Sequence, residues 1–216
     1  MIGILLDLDG TLLNTLEDLA DAVNVALEQN GHPRRTLDEV RRFVGNGVAQ
    51  LVRLAIPEGA QFQPVMDAFL SWYGLHCQDK TRPYDGIPAA LEELKKDYPI
   101  AVVSNKVDSA VKQLCQALFP GVYGLGQRED IPRKPAPDMV WAAMKQLGVE
   151  KCIYVGDSEV DVATARNAGV PCISVLWGFR TRQELEEAGA TVFCQRPEEL
   201  KAAIDHIAAL DADQKM

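Results

Sequence analysis

Ile2-Gly-Ile-Leu-Leu6, followed at once by Asp7-Leu8-Asp9-Gly10-Thr11, is the stretch from which the rest of the chain can be read. The run is apolar throughout rather than alternating, as expected of a strand buried on both faces of a parallel sheet. Ile100–Val103, Cys152–Val155, Cys172–Val175 and Thr191–Cys194 have the same character. Helical patterns fall around 87–97, 108–118, 137–147, 159–168, 181–188 and 197–209. Strand and helix in alternation predict a doubly wound α/β domain with a Rossmann-like parallel sheet. One interval departs from this rhythm. Residues 15–82 hold no convincing strand but four helical patterns, starting at Thr15, Thr36, near Gly47 and near Phe62. Thr15-Leu-Glu-Asp18 and Thr36-Leu-Asp-Glu39 read as N-terminal caps. The expected organisation is an α/β domain of residues 1–14 and 83–216, with a small all-helical domain, 15–82, inserted after the first strand.

Composition narrows the partners. The 216 residues are 47% hydrophobic and 25% charged, with a net charge of −9. No basic field is available to hold a nucleic-acid backbone, so an anionic ligand needs a local device. Five cysteines without CxxC spacing, three of them in apolar runs, read as buried free thiols in a reducing compartment. No run reaches the roughly 18 apolar residues of a membrane span. The first residues lack the basic start and small-residue cleavage site of a signal peptide. The expectation is a cytoplasmic protein, monomeric or weakly dimeric, without a membrane partner.

In a parallel sheet the carboxyl ends of the strands share one edge, and ligands bind there. The first strand delivers Asp7, Asp9, Gly10 and Thr11; the second, Ser104 and Asn105; the CIYV strand, Gly156, Asp157 and Asp161. A single Asp after a strand is more often a turn or cap residue, but three polar strand ends of compatible type are not. Crowded carboxylates repel one another unless a cation joins them, and a compact set of hard oxygen donors suits Mg²⁺. Such an ion, with hydroxyls, an amide and a lysine, can hold a phosphoryl group. Lys134, in Arg133-Lys-Pro-Ala-Pro137, lies in a loop that can reach the same edge.

These four elements, Asp7-Leu-Asp9-Gly-Thr11, Ser104-Asn-Lys, Lys134-Pro-Ala-Pro and Gly156-Asp-Ser-Glu-Val-Asp161, resemble in order the motifs of the haloacid dehalogenase superfamily. The insert has the place of that superfamily's helical cap. Phe43-Val-Gly-Asn-Gly47 and Arg82-Pro-Tyr-Asp-Gly86 look most like the phosphoglycolate phosphatases. Asn14 departs from the pattern, since many relatives carry a second Asp there. The resemblance implies a phosphomonoesterase working through an aspartyl phosphate on a small phosphorylated metabolite, 2-phosphoglycolate above all. It implies Asp7 as nucleophile and Asp9 as acid and base. Thr11, Ser104, Asn105 and Lys134 would bind phosphate. Mg²⁺ would sit on Asp7, the Asp9 carbonyl and Asp157, supported by Asp161, Gly10 and Gly156. In the cap, Gly45, Asn46 and Gly47 form a turn whose amides can approach a ligand, and Arg41 or Arg42 is expected to face the cleft.

Rival readings are weaker. A phospho-accepting signalling domain shares the acidic pocket, but has no use for Asp9 or for a helical insert of this size. A phosphonate-cleaving relative needs a cap lysine for a Schiff base, and no lysine precedes Lys80. A sugar-phosphate phosphatase or phosphomutase shares the core machinery and stays open. Gly45-Asn-Gly47 lacks a third glycine and a preceding strand, so it does not read as a nucleotide-binding loop.

Overall fold

The computed structural model describes residues 1–213; residues 214–216, part of the predicted α/β domain, lie outside the described residues. Six parallel strands form the sheet: β1 (Ile2–Leu6), β4 (Ile100–Val107), β5 (Tyr123–Gln127), β6 (Lys151–Gly156), β7 (Cys172–Val175) and β8 (Phe193–Cys194). Their order is β5-β4-β1-β6-β7-β8, which leaves β1 at the centre, between β4 and β6. Successive side chains of a strand point to opposite faces. Ile4 and Leu6 therefore join one core, with Leu91 of α5 (Ile87–Leu94), Val111 of α6 (Asp108–Leu118) and Ile204 of α10 (Leu200–Asp213). Leu5 joins the other, with Val140 of α7 (Asp138–Leu147) and Ala165 of α8 (Glu159–Ala168). A short helix, α9 (Arg182–Glu187), precedes β8. No described helix is long and apolar enough to cross a membrane.

The helical insert comprises α1 (Leu16–Gln29), α2 (Leu37–Phe43), α3 (Val48–Ala55) and α4 (Phe62–His76), gathered on a hydrophobic cluster of their own around Phe69. Val107 and Phe179 of the sheet domain pack against that cluster from below. Chain entry and exit run side by side as a two-residue ribbon, β2 (Leu13–Asn14) against β3 (Arg82–Pro83).

Three local expectations need correction. Thr15 makes no cap hydrogen bond, and its hydroxyl is buried without a partner. Asp18 turns away to accept the backbone N–H groups of Lys80 and Thr81, fastening the exit strand. Thr36 and Glu39 do form a reciprocal capping box. Strand β5 gave no apolar run because two of its five residues are glycines. Those glycines make room for α6: a Cβ on Gly124 would sit 2.9 Å from the Cys115 sulfur. The strand expected at Thr191–Cys194 is confined to Phe193–Cys194.

Candidate active site

The chain turns sharply after β1. Leu12 and Leu13 both donate to the Leu8 carbonyl, while Gly10 donates to Leu13. Gly10 adopts a φ of 87°, left-handed backbone that suits glycine, and a Cβ there would overlap the Asp157 carboxylate. The turn sends Asp7 and Asp9 into different surroundings.

Asp7 points into the sheet domain. Its Oδ1 lies 2.9 Å from the Lys134 ammonium, an ion pair rather than an aligned hydrogen bond. Lys134 also donates to Asp161 at 2.8 Å and to the Tyr154 hydroxyl at 3.0 Å. It is 2% exposed, so the ammonium stands among these groups without bulk water. Carboxylate oxygens of Asp7, Asp157 and Asp161 lie within 4.8 Å of one another, and all three residues are buried. Burial, with repulsion from Asp161 and Asp9, pushes the Asp7 carboxyl up to about 7 despite Lys134. Burial and the same crowding raise Asp157 well above its ordinary range. Burial opposes the charge of Lys134, but Asp161 and Asp7 outweigh it and hold the lysine protonated.

The donor set fits a divalent cation. Asp161 is not free to bind one: Lys134 and Tyr154 occupy Oδ1, and Ser158 and the Asp157 amide occupy Oδ2. Asp157 accepts one hydrogen bond on each oxygen, from Thr11 at 3.0 Å and from the Phe179 amide at 2.8 Å. Asp7 Oδ1 is buried and accepts no hydrogen bond. Asp7 and Asp157 thus keep hard oxygen lone pairs facing one another, and one lysine cannot neutralise three carboxylates.

Asp9 lies across the turn, bonded at 2.8 Å to Lys106 of β4. The Lys106 side chain is 1% exposed and that of Asp9 13%. The ring of the insert's Tyr73 also packs against Lys106, its centroid 4.8 Å from the ammonium.

Several predicted roles change. Thr11 spends its hydroxyl on Asp157 instead of offering it to phosphate. Asn105 donates its amide hydrogens to the carbonyls of Gly45 and Lys134. Its amide hydrogens are thus spent within the fold, and its oxygen is buried without a hydrogen-bond partner. Ser104 lines the cleft and its oxygen accepts only the Lys106 amide. Gly156 ends β6 against the Asp161 side chain. Gly45 and Gly47 line the cleft; Asn46 is half-buried beside it. Arg41 and Arg42 are exposed and do not line it, with Arg41 paired to Asp38. At Gly47, where φ is 79°, a Cβ would come 2.9 Å from Gln127.

The loop after β7 was not singled out from sequence. Trp177 donates to the Thr11 carbonyl at 2.9 Å, and Phe179 reaches Asp157 through its backbone. Arg180 pairs with Glu159 and donates to the carbonyls of Arg41 and Val44 at 3.1 and 2.8 Å, clamping the insert onto the sheet domain at the C-terminus of α2. A cation suits a helix C-terminus. Backbone contacts leave no side-chain signature in a sequence. Lys106 did leave one: two residues beyond Ser104 on a strand, it shares that residue's face.

The sequence profile of the haloacid dehalogenase-like hydrolases matches residues 4–175. A phosphoglycolate phosphatase of Cereibacter sphaeroides is 35% identical over 193 residues, covering 83% of this chain and 87% of that protein. One from Aquifex aeolicus is 32% identical over 182 residues, covering 82% and 85%. Among solved structures, a provisionally named phosphoglycolate phosphatase from Lactobacillus delbrueckii superposes with a TM-score of 0.88 at 39% identity, covering 94% of this chain and 97% of that one. CbbY from Rhodobacter sphaeroides, solved with phosphate, gives 0.77 at 25% identity, covering 95% and 100%.

Proposed function

The chain belongs to the haloacid dehalogenase-like hydrolases, and from that premise we propose that it hydrolyses small phosphate monoesters through a phosphorylated Asp7, with 2-phosphoglycolate as the preferred substrate. The observation that carries the reading is the division of labour at the β1 turn. Asp7 offers a buried oxygen without a hydrogen bond, while Asp9, two residues on, is held by a lysine of its own.

Asp7 Oδ1 attacks phosphorus, and the bond to the ester oxygen breaks. Asp9 gives that oxygen a proton as the alcohol leaves. Asp9 then takes a proton from water, which attacks the phosphoaspartate and releases orthophosphate with Asp7 restored. Lys134 offsets the charge on Asp7 and on the phosphoryl oxygens, and Ser104 supplies a hydroxyl donor. Asp7, Asp157 and the Asp9 carbonyl would hold Mg²⁺, whose chemistry when bound is to neutralise the phosphoryl oxygens beside a negatively charged nucleophile. Thr11 and Phe179 orient Asp157 for that task. The helical domain closes the cleft through Gly45, Gly47 and Val48 and limits the ester to a small one. The names of the relatives support phosphoglycolate within that class.

A screen of small phosphorylated metabolites, with Mg²⁺ and with chelator, tests the reading. Turnover of 2-phosphoglycolate that disappears on chelation and exceeds that of sugar phosphates is the expected result. Sugar phosphates ahead by tenfold overturn the substrate assignment. Full activity after exhaustive chelation overturns the metal site.

A further inference from the structure

Among the described residues lining the cleft, two are cations, Lys106 and Arg180. They are engaged very differently. Every guanidinium nitrogen of Arg180 already has a protein acceptor, and Glu159 matches its charge. It has little left to offer a ligand. Lys106 has three N–H groups, of which Asp9 takes one in hydrogen-bond geometry. Its side chain is 1% exposed and, among the described residues, its charge is matched inside the fold by Asp9 alone. Its neighbour Asn105 has spent both amide hydrogens within the fold, and Asp7, Asp9 and Asp157 make the rest of the charged lining acidic. Of the two lining cations, Lys106 is therefore the one with N–H groups left for the second anionic group of a substrate.

The place is defined by Asp9. The acid that protonates the ester oxygen must lie one hydrogen bond from it, and Lys106 lies one hydrogen bond, 2.8 Å, beyond that acid. In glycolate a single carbon separates the ester oxygen from the carboxylate. A carboxylate at that spacing reaches the Lys106 ammonium while the ester oxygen faces Asp9. An alkyl group there leaves the buried ammonium with unsatisfied hydrogens, a costly outcome.

We propose that Lys106 is the specificity residue of this site: it receives a substrate carboxylate one carbon from the ester oxygen and selects phosphate esters of 2-hydroxy acids. The assignment rests on the phosphatase reading above and names the group that sets its substrate class.

The test compares kcat/KM for 2-phosphoglycolate, its homologue with one more methylene, and ethyl phosphate in wild type, Lys106→Gln and Lys106→Arg. Wild type is expected to prefer 2-phosphoglycolate to ethyl phosphate by about a hundredfold and to the homologue by about tenfold. Lys106→Gln should bring the first ratio to within about threefold of one, and Lys106→Arg should restore part of it. A residue that merely positions Asp9 or supports the fold would lower all substrates by one factor and leave the ratio intact, which overturns the assignment while the phosphatase reading stands. If Lys106→Gln does not fold, the wild-type comparison decides: equal use of the two carboxylate esters overturns it. A wild-type ratio near one for 2-phosphoglycolate against ethyl phosphate overturns both this assignment and the choice of phosphoglycolate.

Discussion

Lys134 and Lys106 each hold an aspartate of the same turn, but only Lys106 has a side chain of the helical insert packed over it. Lys134, Asp7, Asp161 and Tyr154 all come from the sheet domain, which by itself can assemble and dehydrate the nucleophile's surroundings. The Lys106–Asp9 pair needs Tyr73 from the helical domain to cover it. The phosphoryl end of the cleft is therefore built from the sheet domain alone, whereas the leaving-group end takes one wall, Tyr73, from the helical insert.

Substituting each lysine by methionine separates the two ends most strongly. Lys134→Met leaves Asp7 and Asp161 buried together without a cation, so it should cost about 3–5 kcal/mol in urea unfolding of the metal-free protein. It should also remove nearly all turnover. Lys106→Met uncovers an aspartate beside the cleft mouth, where water can reach it, and should cost about 1–3 kcal/mol. Equal losses would mean that the two ends are built alike.

A pH-dependent metal effect is expected at the nucleophile's end, where Asp7 and Asp157 are both raised. The Asp7 carboxyl is raised from 3.8 to about 7, so the metal-free fold favours its protonated form. That stabilisation is complete below about pH 4 and is lost as pH rises through about 7. Mg²⁺ favours the ionised form. Its effect on the melting temperature in calorimetry should therefore grow between about pH 5 and pH 8, approaching the equivalent of ~2.7 kcal/mol at a hundredfold excess over Kd. A gain independent of pH would show the ion bound elsewhere.

Closure itself is the smallest lever. Arg180→Gln removes the clamp on the α2 carbonyls and should raise KM by about tenfold with a lesser change in kcat, read from steady-state kinetics. A loss confined to kcat would place Arg180 in the chemistry instead.

Much of this arrangement was legible in the sequence where side-chain type carried the information. Apolar runs marked β1, β4, β6 and β7, helical spacing marked the insert, and strand ends brought Asp7 and Asp157 to one edge, which Lys134 reaches from a loop. The rest was hidden for identifiable reasons. Tyr123–Gln127 read as a loop because glycines replace the apolar residues that α6 would otherwise collide with. Thr11 and Asn105 have the right chemistry for phosphate, but their hydrogens are committed within the fold, which only coordinates reveal. Arg41 and Arg42 looked apt because they sit near Gly45 in sequence. Their helix turns them outward, and it is the carbonyls of Arg41 and Val44, through Arg180, that meet the sheet domain.

On the proposed mechanism Asp7 carries the phosphoryl group and Asp9 discharges it. Asp9→Asn, quenched in acid after mixing with 2-phosphoglycolate and Mg²⁺, should yield a peptide carrying one phosphoryl group on Asp7 by mass spectrometry, while Asp7→Asn should yield none and turn over no substrate. Phosphate on another residue, or sustained hydrolysis by Asp7→Asn, would contradict the account.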